Sequence, residues 1–266
     1  MIPDKVDYLR YAWHLINGFR VQVEQKSHQI RRQDISPYLD LDQPLKVLDL
    51  ANGRLRPQSL LLAQEGHRVY GIDLVNRPTR SLTDQAYSVA RWLYRQRLGP
   101  WPLNNQSPAL LYGNVNHLPF GTHTFDLITS IAAFEHFLDV PMCVAELARV
   151  LRPGGVVWVG IHLFTALSGG HNTRLIEFPL RHLPTGAEPW DHLRQRKLPF
   201  HVPLNEWRID QYLETFDRHF NIIKHYCRAR EGLEFLTPDI QSELADYHPD
   251  ELTCRSYVIV ARSLKH

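Results

Sequence analysis

Two aspartates 24 residues apart, Asp49 and Asp73, each stand at or near the end of a short apolar run, KVLDL and RVYGID. A carboxylate at such a strand end can accept hydrogen bonds from both hydroxyls of a ribose. Further on, Gly113-Asn114-Val115 ends a third apolar run. The Asn114 amide oxygen can accept from the exocyclic amine of an adenine, and the Val115 N–H can donate to the ring. Between the aspartates, Ala51-Asn52-Gly53 supplies a turn whose glycine permits close backbone approach. A lone residue of this kind is commonly a turn-former, but three strand ends in register point to an adenosine-containing cofactor.

Such residues need a sheet to hold them. Short β-branched runs alternate with longer helical patterns from Lys46 to Leu163, as in a parallel sheet covered by helices. Strands are predicted at 46–50, 68–73, 109–113, 126–131 and 156–162, with continuous apolar stretches suited to burial on both faces. Pro57 fits the opening turn of a first helix and Gly66 its left-handed stop. A second helix runs over 82–97 and stops at Gly99-Pro100, and a third ends at the turn Arg152-Pro153-Gly154-Gly155. A helix over 204–220, a strand over 221–228, a helical insertion over 237–252 and a strand over 255–262 follow. Before residue 45, Tyr8, Tyr11, Trp13, Leu15 and Phe19 suggest one amphipathic helix acting as a cap.

Lys46-Val-Leu-Asp49-Leu-Ala-Asn-Gly53, Gly66-His-Arg-Val-Tyr-Gly-Ile-Asp73, Gly113-Asn-Val-Asn-His-Leu-Pro-Phe120, Phe125-Asp126 and Glu146-Leu-Ala-Arg-Val-Leu-Arg-Pro-Gly-Gly155 follow one another in fixed order. Together they resemble the successive motifs of class I S-adenosylmethionine-dependent methyltransferases, over residues 46 to about 163. The resemblance implies a Rossmann-like α/β three-layer sandwich with a mostly parallel seven-stranded sheet and an antiparallel last strand. It implies S-adenosylmethionine as cofactor, with the methionine part against Ala51, Asn52 and Gly53 after Asp49, the ribose on Asp73 beside Leu74, and adenine beside Asn114 and Val115. Arg54 and Arg56 flank a helix start and could pair with the cofactor carboxylate, or be plain surface arginines.

The pattern departs from the family at Ala51 and Leu55, where glycine is common, and at Asn114, where an acid is common. Ala51 is mild if its φ stays negative, and Leu55 is tolerable if it points into the core beneath the loop. A nicotinamide dehydrogenase fits less well, because the G-x-G-x-x-G fingerprint is missing.

For a hydroxyl acceptor, methyl transfer needs a base near the acceptor oxygen. His136, beyond the fourth strand, is the leading candidate, a position where many relatives carry histidine. His162, at the end of strand five, and His171, in Ser168-Gly-Gly-His171-Asn172, form a second set with Pro189-Trp-Asp191-His192. Their irregular spacing argues against a metal site, so none is expected. The Pro-, Gly- and His-rich stretch 164–204 reads as an insertion or lid supplying the acceptor pocket, ahead of a C-terminal part over 205–266. A small or glycan-linked hydroxyl acceptor fits these polar and aromatic residues. A non-catalytic binding or scaffold protein of the same fold, and transfer to nitrogen or carbon, are the alternatives.

With 266 residues, 44% hydrophobic and 22% charged, the chain reads as one globular domain with insertions. A net charge of +2 gives no electrostatic reason for a nucleic-acid partner. Neither a membrane-spanning apolar run nor a signal-peptide pattern is apparent. Cys143, Cys227 and Cys254 lack the paired spacing of a disulfide framework, so a reducing cytoplasm is expected.

Overall fold

A computed structural model describes residues 17–77, 81–99, 107–172, 183, 186–200 and 202–264. The predicted helix around Tyr8 to Leu15, and parts of the 164–204 stretch, lie outside the described residues. The described elements are α1 (Phe19–Ile35), β1 (Lys46–Leu50), α2 (Pro57–Gln64), β2 (Arg68–Asp73), α3 (Leu82–Arg97), β3 (Ala109–Tyr112), β4 (Phe125–Ile131), α4 (Val140–Val150) and β5 (Leu151–His162). They continue with α5 (Ile209–Asp217), β6 (Phe220–Arg230), α6 (Pro238–Glu243), α7 (Pro249–Leu252) and β7 (Cys254–Ser263).

The seven strands form one mixed sheet in the order β3-β2-β1-β4-β5-β7-β6, as the Rossmann-like expectation required. β1 pairs in parallel with β2 and β4, and β2 with β3. The Leu163 N–H meets the Arg255 carbonyl and the Glu231 N–H meets the Thr253 carbonyl, so β7 runs against both of its neighbours.

The chain divides into two compact units, one of residues 1–130, 146–158 and 263–266, the other of 131–145 and 159–262. In the first, strand residues Val47, Leu48, Leu50, Ile72, Leu127 and Ile128 are fully excluded from water. The family-like motifs here serve the scaffold. Asp126 Oδ2 accepts from the Lys46 N–H (2.7 Å), fixing the start of β1. Glu146 accepts from the Leu118 N–H (2.7 Å), while Arg149 donates to the carbonyls of Phe120 (2.7 Å) and Leu118 (3.0 Å), tying down the loop before β4.

α1 does not appear in the hydrophobic pattern because its inward face is polar. Val21, Glu24, His28, Arg31 and Ile35 recur at helical spacing and are all buried. Arg31, 0% exposed, donates to Gln58 Oε1 (2.9 Å) and Thr129 Oγ1 (3.2 Å) and contacts His28 Nδ1. Gln58 donates to Glu24 Oε2 (2.7 Å), and Trp158 Nε1 to Asp34 Oδ2 (2.9 Å). Buried polar groups persist when paired in this way.

In the second unit, Phe134, Phe216 and Phe220 stack in succession, with ring centroids 5.6 and 5.9 Å apart. Leu167, Trp190, Leu236, Ile240, Leu244 and Leu252 form a second apolar cluster. Two expectations change here. The Arg152-Pro153-Gly154-Gly155 segment already belongs to β5, since Gly154 at φ 77 lets the chain leave α4 without a separate turn. Cys227 and Cys254, 27 residues apart, are bridged with Cα atoms 5.7 Å apart. Antiparallel pairing of β6 and β7 brings together cysteines whose sequence spacing carries no pairing signal.

Candidate functional site

In the first unit the loop from Ala51 to Arg56 joins β1 to α2. Gly53, at φ 65, turns its N–H onto Asp73 Oδ2 (2.7 Å), and the other Asp73 oxygen caps the turn after β2 through the Val75 N–H (2.9 Å). A methyl group added at Gly53 would meet no atom within 4 Å, so the backbone there borders open space. Asn52, buried, is held by Asn76 Nδ2 (3.0 Å), which also reaches the Leu111 carbonyl (2.9 Å) and so links the ends of β1, β2 and β3.

Leu55 turns away from this opening. It is 5% exposed and packs with Val21, Leu61, Tyr94 and Leu98. The space a glycine would have left is therefore kept free by the direction of the side chain. Ala51 differs from expectation, because its φ is 52 rather than negative. The left-handed conformation costs an alanine roughly 1–2 kcal/mol, held in place here by the Ala51 N–H bond to the Ile72 carbonyl (2.8 Å).

The remaining predicted cofactor residues divide. Asp49 is buried and accepts from the Ser59 hydroxyl, with the Arg31 guanidinium nearby; burial pushes its carboxyl up to about 6. It ties β1 to α2. Arg54 is committed to Asp84 (2.5 Å) and stacks over Tyr87 at 5.9 Å, whereas burial and Arg91 lower Arg56 to about 10 beside the attraction of Asp73. Arg56 thus feels the charges of both Asp73 and Asp84. Leu74 and Asn114 are exposed and Val115 half-buried, with Asn114 Oδ1 accepting from the Asn116 N–H (3.0 Å). These residues fit an adenosine-type ligand: open backbone at Gly53, a carboxylate at the end of β2, and an amide beyond β3.

In the second unit the turn after β4 carries Glu135 and His136. Asn205 pins it, donating to the carbonyls of Phe134 (2.7 Å) and Phe137 (3.0 Å), and its own N–H meets the Glu135 carbonyl (2.9 Å). His136 Nδ1 lies 2.9 Å from the Pro203 carbonyl. A carbonyl only accepts, so Nδ1 carries the hydrogen and Nε2 keeps the lone pair.

His162, His171 and His136 do come together, with ring centroids 4.9 Å apart for His162 and His171 and 4.8 Å for His136 and His171. The two glycines of SGGH make this possible. A Cβ at Gly169 would lie 2.1 Å from the Phe164 carbonyl oxygen, and one at Gly170 would lie 2.7 Å from His192 Cβ. Burial holds His162 well below its usual range and His171 and His192 at about 4, so all three imidazoles are neutral at pH 7. Glu135, 1% exposed, is the group the sequence did not mark as a site. Burial raises it to about 8, only partly offset by the N–H groups of Glu135 and His162. A small cleft lies in the same unit, lined in part by Gly170, Asn172, Asp191, His192 and Phe200.

Residues 48–159 match the model of a methyltransferase domain. Over 114 residues the chain is 30% identical to a probable S-adenosylmethionine-dependent methyltransferase of Mycolicibacterium smegmatis, covering 43% of this chain and 42% of that protein. The match thus spans less than half the length of that relative. A 2-phytyl-1,4-naphtoquinone methyltransferase of Thermosynechococcus vestitus is 24% identical over 217 residues, 81% of this chain and 72% of its own. An S-adenosylmethionine-dependent methyltransferase from Mesorhizobium loti shares the fold with a TM-score of 0.51 and 18% identity, over 86% of this chain and 96% of that one. Residues 48–159 thus resemble a methyltransferase domain in sequence, and the ordered motifs, the strand order and the open loop at Gly53 agree with that likeness.

Proposed function

We propose that the protein is an S-adenosylmethionine-dependent methyltransferase that methylates a hydroxyl group on a small or glycan-linked acceptor. The observation that carries the cofactor half is Gly53: its backbone borders open space and its N–H is tied to Asp73, while Leu55 is buried on the other side. That direction of Leu55 also counts against a non-catalytic scaffold, which Leu55 and Asn114 together favour. When bound, S-adenosylmethionine supplies a methyl group made electrophilic by its sulfonium centre.

The chain's own part is to hold and to deprotonate. Asp73 accepts the ribose hydroxyls, exchanging its bond to the Gly53 N–H, and Asn114 and Val115 meet the adenine edge. His136, with Nδ1–H committed to Pro203, offers Nε2 to the acceptor hydroxyl as general base. His171 and His162 are neutral imidazoles able to orient an acceptor oxygen. Asn172 and Phe200 border a small cleft in the same unit and offer an amide and an aromatic ring to an acceptor.

We place the protein in the cytoplasm on the odd number and unpaired spacing of its cysteines; the Cys227–Cys254 bridge counts against that placement, and thiol titration of freshly isolated protein is the check. Among the described residues no helix is long and apolar enough to cross a membrane. The decisive experiment is calorimetry with S-adenosylmethionine and S-adenosylhomocysteine. Binding that is lost in Asp73→Ala supports the proposal, and undetectable binding of both at millimolar ligand sinks it. A labelled-methyl screen of nucleotide-sugar and glycan acceptors, with the methylated atom assigned by NMR, separates oxygen from nitrogen and carbon transfer.

A further inference from the structure

Glu135 presents a problem that the proposed chemistry does not solve. Neither of its carboxylate oxygens makes a hydrogen bond of ordinary geometry among the described residues, with only the Glu135 and His162 N–H groups standing near, although the side chain is almost entirely enclosed. His171 Nε2 is likewise buried and unpartnered. Leaving such groups unmatched is costly, and the exceptions in folded proteins call for an explanation, a bound ion among them. One carboxylate oxygen of Glu135 and one ring nitrogen each of His162 and His171 lie within 4.8 Å of one another.

The tautomer of His162 is already set from outside. Glu231 Oε1 accepts from both the Ser168 N–H (2.7 Å) and the Ser168 hydroxyl (2.6 Å), and Arg255 stands 3.3 Å from its other oxygen. With its proton given to Glu231, the Ser168 oxygen can only accept from His162 Nε2 (2.8 Å). His162 Nδ1 is left with its lone pair. A histidine whose second nitrogen donates through a hydroxyl to a carboxylate is the usual outer-shell arrangement of a metal ligand.

We infer that Glu135, His162 and His171 bind one divalent transition-metal cation of the zinc class. Two imidazoles and a carboxylate are borderline-soft donors, a set that suits zinc and its neighbours and does not suit magnesium. Ligand atoms around such an ion stand about 3–3.4 Å apart at bond lengths near 2.1 Å, so the three side chains must close in by about 1–2 Å at most. Three protein ligands leave a fourth position open to water or to an acceptor oxygen. His136, edge-on to His171, stays outside the ligand set, tied to Pro203.

The site does not depend on the methyl-transfer reading, and its occupancy is measured without turnover.

The test is calorimetric titration of the whole, chelator-stripped protein with zinc chloride. The expected result is one zinc per chain and no competition from magnesium. Glu135→Gln, which keeps shape and removes charge, and His171→Ala each lower zinc affinity at least 100-fold, while His248→Ala at an exposed histidine changes nothing. S-adenosylhomocysteine binding, measured on the same samples, is unchanged in Glu135→Gln, which separates this result from failure of the cofactor reading. If His171→Ala does not fold, Glu135→Gln alone decides. Absence of stoichiometric zinc uptake by the wild type, or uptake unaltered in Glu135→Gln, overturns the inference.

Discussion

Truncating Leu55 separates the two roles a bulky residue could play in the β1–α2 loop. In Leu55→Ala, a side chain enclosed by Val21, Leu61, Tyr94 and Leu98 loses its apolar bulk beneath the loop. Removing a buried leucine costs about 3 kcal/mol, within a range of 2–5 set by how far the site can collapse. At ~2–4 °C per kcal/mol for a domain of this size, the melting temperature falls by about 6–12 °C. Because the side chain points away from the open face of Gly53, affinity for S-adenosylhomocysteine changes less than about threefold, under ~0.7 kcal/mol. Thermal unfolding by circular dichroism and calorimetric titration on the same preparations give both numbers. A variant that melts like the wild type and binds S-adenosylhomocysteine tenfold more tightly would refute the reasoning, since Leu55 would then have occupied ligand space.

Gly53→Ala should show the reverse balance: left-handed strain of roughly 1–2 kcal/mol with no clash inside the protein, but a loss of at least tenfold in S-adenosylhomocysteine affinity as the new methyl enters the open space. Unchanged affinity would put the ligand elsewhere. Glu135 gives a signed pH dependence in the chelator-stripped protein. Its folded value of about 8 lies above the ordinary 4.5, so the folded state holds the proton longer and stability is lost as pH rises between those values, by roughly 4–5 kcal/mol in total as an upper bound. Urea unfolding of Glu135→Gln should therefore show a flatter profile and higher stability at pH 8–9. The lowered histidines act with the opposite sign, since His162 and His171 take up protons on unfolding and stability falls as pH drops below 6.5 toward 4. His136→Ala should lower kcat/KM for a hydroxyl acceptor by about 10²–10⁴-fold, with S-adenosylhomocysteine affinity unchanged; a smaller loss removes His136 as the base.

The sequence determined the class of fold, because it rests on local signals. Apolar strands that carry Asp49 and Asp73 at or next to their ends, with Pro57 and Gly66 framing a helix, place themselves whatever the distant chain does. What only the tertiary structure decided involves residues whose meaning lies in their partners. α1 was illegible because Glu24, His28 and Arg31 fill core positions, paired with Gln58, Thr129 and Glu65, and polar residues carry no hydrophobic period. Leu55 and Ala51 looked alike as missing glycines, yet one is buried away from the loop opening and the other is held at positive φ. Glu135 gave no signal in a one-dimensional motif. Its neighbours His162 and His171 arrive from β5 and from a turn that two glycines compress, and the enclosure of its carboxylate exists only once those segments meet.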